Sequence, residues 1–320
     1  MSNNFDPRNF IDRQAEQELF RDLVSFTSPA RMLTICDKGA RGKSSLLKRL
    51  QYNCKYEIRP PVHACLIALD QLANTSRFEL INKIRDELKG VAFPKFDQLN
   101  NARMAHDFTP FELRTFESRN RISVEGPVER EARVANQLIE NQHFENADTV
   151  INMTSRLPFN ADQQTFAQNK CLEAFFEDLR VICATQPIVL LFDAWERCYL
   201  ELREWITDEL LRNHCFNRDK NLRPANLAIV LASRPHGKEQ RHGLREGEFI
   251  RLFADEQEYA AIVLSRTSLS DWDSEHVRDF LDQNEITNVD DDDINYIRDS
   301  LKKGKTLLQI LSAMEALTMK

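Results

Sequence analysis

Asp37-Lys38-Gly39-Ala40-Arg41-Gly42-Lys43-Ser44 follows the apolar run Met32-Leu33-Thr34-Ile35-Cys36 and leads into Ser45-Leu46-Leu47-Lys48-Arg49-Leu50. An apolar strand, a glycine-bearing turn ending in Lys-Ser and a helical pattern occur in the order of a phosphate-binding loop, G-x-x-x-x-G-K-[S/T]. Only the first glycine is missing, and Asp37 stands in its place. In such a loop Asp37, Lys38, Gly39, Ala40, Arg41, Gly42, Lys43, Ser44 and Ser45 wrap an anion, because the loop and helix N–H groups converge on it. Gly42 permits close backbone approach, Lys43 reaches the β and γ phosphates, and the Ser44 hydroxyl is offered to Mg²⁺. The chain has 8 glycines, and Gly39 and Gly42 both lie in this turn. Asp is one of the few residues that tolerate the backbone geometry of the missing glycine. Its carboxylate must then face away from a triphosphate or pair with Lys38 or Arg41. The rival reading, a lysine-rich turn closing a strand, does not account for a strand and a helix flanking the loop in this order.

Outward from the loop, the segment from Asn9 to Val24 has helical spacing with Asp12 as its cap, and leads into the first strand. Val62–Asp70 reads as a second strand and Ser76–Leu88 as an amphipathic helix with Phe78, Leu80, Ile81, Ile84 and Leu88 turned inward. From about Gly90 to Asn169 the text is polar and broken by Pro94, Pro110, Pro127 and Pro158, so it reads as an insertion. Short extended pieces are expected there at Arg121–Val124 and Thr149–Met153. Regular patterning resumes with a helix over Leu172–Ile182, a strand over Pro187–Asp193, a helix from Leu200 to Arg212, a strand over Leu227–Ala232 and a short fifth strand at Glu248–Leu252. Continuous apolar strands separated by helices imply a five-stranded parallel sheet covered on both faces, an α/β fold. The remaining residues switch to helices near 256–265, 274–283, 291–303 and 306–318. This gives a core over residues 1–252, carrying the insertion, and a small all-helical lid over residues 253–320.

Composition sets broad limits. The 320 residues are 42% hydrophobic and 29% charged, with a net charge of −7. That balance is ordinary for a globular chain and disfavours a surface devoted to nucleic acid. No run approaches a membrane span and no secretory signal opens the sequence, so a cytoplasmic protein without a membrane partner is expected. Seven cysteines in mostly apolar contexts, with no C-x-x-C, read as reduced core thiols rather than a disulfide or zinc framework. The acidic run Asp290–Asp293 lacks the spaced ligands and turn glycine of a calcium loop, and reads as the negatively charged start of a helix.

Two further strand ends carry chemistry. Leu190-Leu191-Phe192-Asp193 ends in an acid placed to hold Mg²⁺ through water, and Glu196, three residues on, can polarise an attacking water as general base. The fourth strand ends at Ser233-Arg234-Pro235, at the carboxyl edge where open parallel sheets bind ligands. The forked guanidinium of Arg234 suits a γ-phosphate, whose loss would release a strong contact. Arg234, His236, Lys238, Arg241, His242 and Arg245 also make a candidate basic patch, or simply a solvated loop.

Together, Phe10-Ile11-Asp12-Arg13 with Glu16, the loop Gly39–Leu47, Phe192-Asp193-Ala194-Trp195-Glu196 and Ala232-Ser233-Arg234-Pro235 resemble the STAND class of P-loop ATPases. That class is a signalling relative of AAA+ proteins and includes NACHT and NB-ARC domains. The resemblance spans most of residues 9–252 and implies an AAA+/ASCE-like P-loop NTPase fold. It also implies ATP and ADP as ligands, Mg²⁺ as cofactor, and a switch in a bacterial signalling or defence system that works with a protein partner or by self-assembly. On the same comparison Phe10 and Ile11 supply an apolar wall for adenine. Gly304-Lys305-Thr306-Leu307-Leu308 falls where the lid carries Gly-x-Pro-Leu, with Thr306 in place of proline. Asp37 and Thr306 depart from the pattern and bear on affinity and rate, while Lys43, Ser44 and Asp193 are kept.

The expected activity is therefore ATP binding with slow or conditional hydrolysis, in which Lys43, Glu196 and Arg234 act on the phosphates. Two alternatives stand beside it: a DNA-associated AAA+ ATPase of the origin-recognition or transposition-regulator kind, and a scaffold that keeps the fold without turnover.

Overall fold

The computed structural model describes residues 13–39, 41–72, 75–107, 159–237, 242–245, 247–266, 269, 274–283, 286 and 289–302. The chain divides into two compact units, residues 1–91 with 180–320, and residues 92–179.

In the first unit, α1 (Gln14–Ser25) precedes β1 (Met32–Cys36), and α2 (Lys43–Tyr56) leads to β2 (His63–Ala68) and α3 (Arg77–Glu87). Ser76 and Glu79 start α3 as a capping box: the Ser76 hydroxyl accepts from Glu79 N–H at 3.2 Å, and the Glu79 carboxylate accepts from Ser76 N–H at 2.6 Å. The second unit holds α4 (Pro94–Met104), with proline in its first turn, and most of α5 (Ala161–Cys183). The chain returns through β3 (Ile188–Asp193), α6 (Leu200–Trp205), which continues as wider-wound turns to Cys215, β4 (Leu227–Ser233), α7 (Glu256–Ile262), β5 (Val263–Arg266), α8 (Ser274–Gln283) and α9 (Asp291–Lys302).

All four strand pairings are parallel, in the order β2-β3-β4-β1-β5. Parallel strands of a covered sheet must be apolar on both sides, and these are. Leu33, Ile35, Leu191, Val230 and Ala232 pack with Phe20 and Leu23 of α1 and Leu46, Leu47 and Leu50 of α2. The alternate positions Met32, Leu190, Phe192, Ile229 and Leu231 are equally buried. The α/β class and the five-stranded parallel sheet expected from the sequence are both present.

Several local expectations are corrected. The fifth strand is not at Glu248–Leu252. That stretch closes in a short 3₁₀ turn, Ile250–Leu252, and places Phe249 and Leu252 in the core. The true β5 is Val263–Arg266, paired with β1 from Met32↔Val263 to Ile35↔Arg266, inside a segment read as helix to Ser265. A four-residue strand directly following a helix leaves no change of period long enough to detect. The sheet therefore extends past residue 252. The first helix is capped at Arg13, with φ 69°, rather than at Asp12, and Arg13 makes no side-chain cap. Pro94–Met104, read as part of an irregular insertion, is a helix, and α5 begins eleven residues before the Leu172 expected for it. The extended pieces at 121–124 and 149–153 and the last helix, 306–318, lie outside the described residues.

Within the second unit, Phe175 of α5 stacks on Phe93 at 5.0 Å and meets the edge of Phe96 at 5.7 Å. Buried Asp178 accepts Phe96 N–H at 2.9 Å, fixing the start of α4. In the first unit, α8 and α9 share a small core of Val277, Leu281, Ile294 and Ile297. Asp290 Oδ1 accepts Asp293 N–H at 2.9 Å, so the acidic run starts a helix, as the sequence reading has it. Among the described residues no helix is long and apolar enough to cross a membrane.

Candidate functional site

The carboxyl ends of β1, β3 and β4 meet at one edge of the sheet. Cys36 is paired with Ser233 in register, and Asp37 N–H continues that ladder to Ser233 O at 3.2 Å. The chain then turns back through Gly39 and Gly42 and enters α2. Gly42 is the N-cap of α2 at φ 82°, a left-handed geometry that glycine adopts without strain. No side chain caps the helix, so its first N–H groups, which have no intrahelical partner, remain directed at the turn.

Lys43 closes the loop on itself. Its Nζ donates to Asp37 O at 2.5 Å and Lys38 O at 2.6 Å. An ammonium has three donors, so the loop uses two and leaves one. Burial lowers the pKa of Lys43, while Glu196 and Asp37 pull it back up. Arg13, from the start of α1, reaches the same loop and donates to Arg41 O at 3.0 Å.

The opposite wall comes from β3 and β4. After Asp193 the backbone takes a left-handed step at Ala194, with φ 57°, and turns through Trp195–Arg197. Trp195 is wholly buried against Phe249, with the Arg203 guanidinium over its ring, and this anchors the turn. Glu196 is thereby aimed at the end of β4. Its side chain is 4% exposed, with Oε2 accepting Arg234 N–H at 3.1 Å and Oε1 paired with Arg234 Nε at 3.2 Å. Ser233 Oγ donates to Arg234 O at 2.9 Å and lies 3.5 Å from Glu196 Oε2. The Arg234 guanidinium in turn lies on Gly39, where a Cβ would come within 3.2 Å of its Cζ. A side chain at position 39 would press on the Arg234 guanidinium, whereas at position 42 glycine is favoured by its backbone angle.

Asp37 does not face an open loop. Its carboxylate accepts Lys38 N–H at 2.6 Å and Leu269 N–H at 2.9 Å, and lies 3.4 Å from Arg41 Nε. The Arg41 pairing considered from the sequence is present; from Lys38 it is the backbone N–H, not the ammonium, that binds.

Asp193 Oδ1 accepts its own neighbour's N–H, from Ala194, at 2.9 Å, and the Ser44 hydroxyl is exposed in the first turn of α2. Both residues carry hard oxygen donors of the kind Mg²⁺ takes while keeping much of its water. Among the described residues no cluster of three His, Cys, Asp or Glu forms a ready metal cage.

Lys43, Gly39, Gly42, Arg41, Asp37, Glu196 and Arg234 are brought together as the motifs implied. Phe10, Ile11, Ala40 and Thr306 lie outside the described residues, as do Lys238 and Arg241 of the basic patch. Arg234, counted in that patch, turns inward to Glu196 and Gly39.

No protein-family model matches the chain, and no curated protein matches it either.

Ser233 and Arg13, quoted within motifs but given no role of their own, and Leu269, not noted at all, also join the site. Leu269 contributes only a backbone N–H, and nothing in a side-chain pattern announces that.

Cys36, next to the loop, has its thiol pKa raised by burial, with Lys43 acting against the shift. All seven cysteines are free thiols, and burial pushes Cys54, Cys183 and Cys198 up to about 12. Such thiols remain protonated and unreactive near neutrality.

Proposed function

We propose that this chain is an ATP-binding switch module of the STAND-like P-loop type, with Mg²⁺-dependent hydrolysis that is slow or conditional. The observation that carries the reading is the seat of Lys43: its ammonium is held by Asp37 O and Lys38 O at the uncapped start of α2, with one donor left for a phosphate oxygen. A β-phosphate fits the helix N–H groups and a γ-phosphate fits between Lys43 and Arg234, since both lie against the same glycine-bearing turn. Bound Mg²⁺, held by Ser44 and Asp193, would neutralise the phosphate charge.

Conditional turnover follows from the state of Glu196. A general base must reach a water, yet this carboxylate is buried and engaged by the guanidinium and backbone of Arg234. A γ-phosphate competes for the same guanidinium. As Arg234 turns to the phosphate, the Glu196 carboxylate is released from the guanidinium and is free to accept a hydrogen bond from water and orient it for in-line attack. The base is thus silent until a triphosphate is present. In a signalling or defence setting the nucleotide state would be read by a protein partner or by a second copy of the chain.

The closed Glu196–Arg234 pair also favours a second reading, in which nucleotide is bound and never turned over. Calorimetric titration of the full chain with ATP and ADP, with and without Lys43→Ala, tests binding. Removing a charge-assisted donor costs about 1.5–3 kcal/mol, or roughly 10- to 150-fold in affinity. Absent binding in both proteins refutes the ATP reading. Hydrolysis lost in Glu196→Gln supports the switch, and binding without any Glu196-dependent hydrolysis supports the silent binder.

A further inference from the structure

Asp37 carries more contacts than a loop residue needs. Its N–H donates to Ser233 O at 3.2 Å, and its carbonyl accepts Lys43 Nζ at 2.5 Å. Its carboxylate, in a residue 8% exposed, takes Lys38 N–H at 2.6 Å, Leu269 N–H at 2.9 Å and the Arg41 guanidinium at 3.4 Å. One residue thereby joins the end of β1 to β4, to α2 through Lys43, and to the chain beyond β5.

Leu269 is 2% exposed and packs in the same core as Leu46 and Leu47, so its N–H has no access to water when that core is intact. A buried N–H deprived of its acceptor bears the full desolvation cost of that group. Glycine at position 37 would supply no acceptor. The Lys38 N–H held by the carboxylate belongs to the peptide between the two carbonyl groups that clamp Lys43, and its Asp37 carbonyl is one of them. The orientation of that peptide therefore decides where the ammonium sits.

We propose that Asp37 is a positioning residue, a latch that ties the loop to residue 269 and sets the Asp37–Lys38 peptide so that Lys43 is aimed at the anion. The carboxylate is occupied by two amides and Arg41, and so it acts through Lys43 rather than on a ligand. Its effect on ATP rests on the functional reading above, whereas the latch itself exists without nucleotide. Since α8 begins at Ser274, the latch also connects the loop to the chain entering the C-terminal helix pair. Energetic coupling between sites is reciprocal, so an anion that fixes Lys43 tightens the hold on Leu269.

The test is amide hydrogen exchange across residues 263–274 of the full chain, for wild type, Asp37→Gly and Asp37→Asn, without ligand and with Mg·ATP, together with ATP affinity. Asp37→Gly is expected to speed exchange at Leu269 by about tenfold and to weaken ATP by about tenfold, the range for one buried amide left unpaired. Asp37→Asn keeps one oxygen acceptor and is expected to restore most of the Leu269 protection and part of the affinity. Unchanged exchange in Asp37→Gly overturns the latch. ATP affinity equal to or tighter than wild type in that variant overturns the positioning role. Should Asp37→Gly not fold, Asp37→Ala, which also removes the acceptor, takes its place, and unchanged exchange and affinity in that variant overturn the proposal. Faster exchange in Asp37→Gly with no ATP binding by wild type keeps the latch and refutes the ATP reading instead.

Discussion

Replacing Arg234 by alanine leaves Glu196 as a buried carboxylate without its guanidinium, and the cost can be worked from the geometry. At the observed Nε–Oε1 separation of 3.2 Å, two unit charges attract by about 1.3 kcal/mol at the dielectric of water and about 5 kcal/mol at an effective value of about 20. Glu196 is almost wholly buried, but the Arg234 side chain is 37% exposed, so the pair belongs toward the lower of these limits, about 1–2 kcal/mol. The Glu196 bond to Arg234 N–H survives both Arg234→Ala and Glu196→Gln, so a double-mutant cycle isolates the charge pair. The assay is urea unfolding of the four proteins, followed by tryptophan fluorescence with circular dichroism as a second probe. Trp195, adjacent to Glu196 and fully buried, reports locally. A coupling of about 1–2 kcal/mol with unchanged m-values is expected. Additivity within about 0.3 kcal/mol would show that Arg234 does not hold Glu196, and the conditional-base argument would fall with it.

Two other outcomes follow from the charges. Burial lowers the pKa of Lys43, so ATP affinity is expected to decline with rising pH before the ordinary lysine range near 10.4 is reached, as the binding ammonium form is lost. Without nucleotide the sign reverses for stability: across that window the unfolded chain holds the proton that the folded chain has shed, so stability linked to Lys43 rises with pH. Titrations of wild type against Lys43→Ala measure both, and matching profiles would contradict the burial of this group. At the start of α9, Asp290→Ala is expected to cost about 1 kcal/mol by removing the cap on Asp293 N–H, seen as faster amide exchange over 291–302. Added Ca²⁺ should leave the melting temperature of wild type unchanged; a rise that Asp290→Ala abolishes would show that the acidic run ligates the ion.

The α/β class, the four longer strands and the strand–loop–helix order around Asp37–Ser44 were legible in the residue pattern alone. Long apolar runs bounded by Gly, Pro and charge can be buried in few other ways, and Lys43, Glu196 and Arg234 each follow directly from a strand end. Where the periodic signal was short it misled: Glu248–Leu252 has the composition of a strand but buries Phe249 and Leu252 through a 3₁₀ turn, while the four residues of β5 are stabilised by pairing with β1. The contacts of Asp37 were not legible in that pattern. Its solvent-facing alternative and its latched state have the same local sequence, and the difference is one backbone N–H from Leu269, far along the chain, brought near by the β1–β5 pairing. The closed state of Glu196 is of the same kind, because a strand-end acid is legible from its neighbours while its countercharge arrives from another strand. Local chemistry is written in order along the chain, whereas its partners are chosen by which strand ends the sheet makes adjacent.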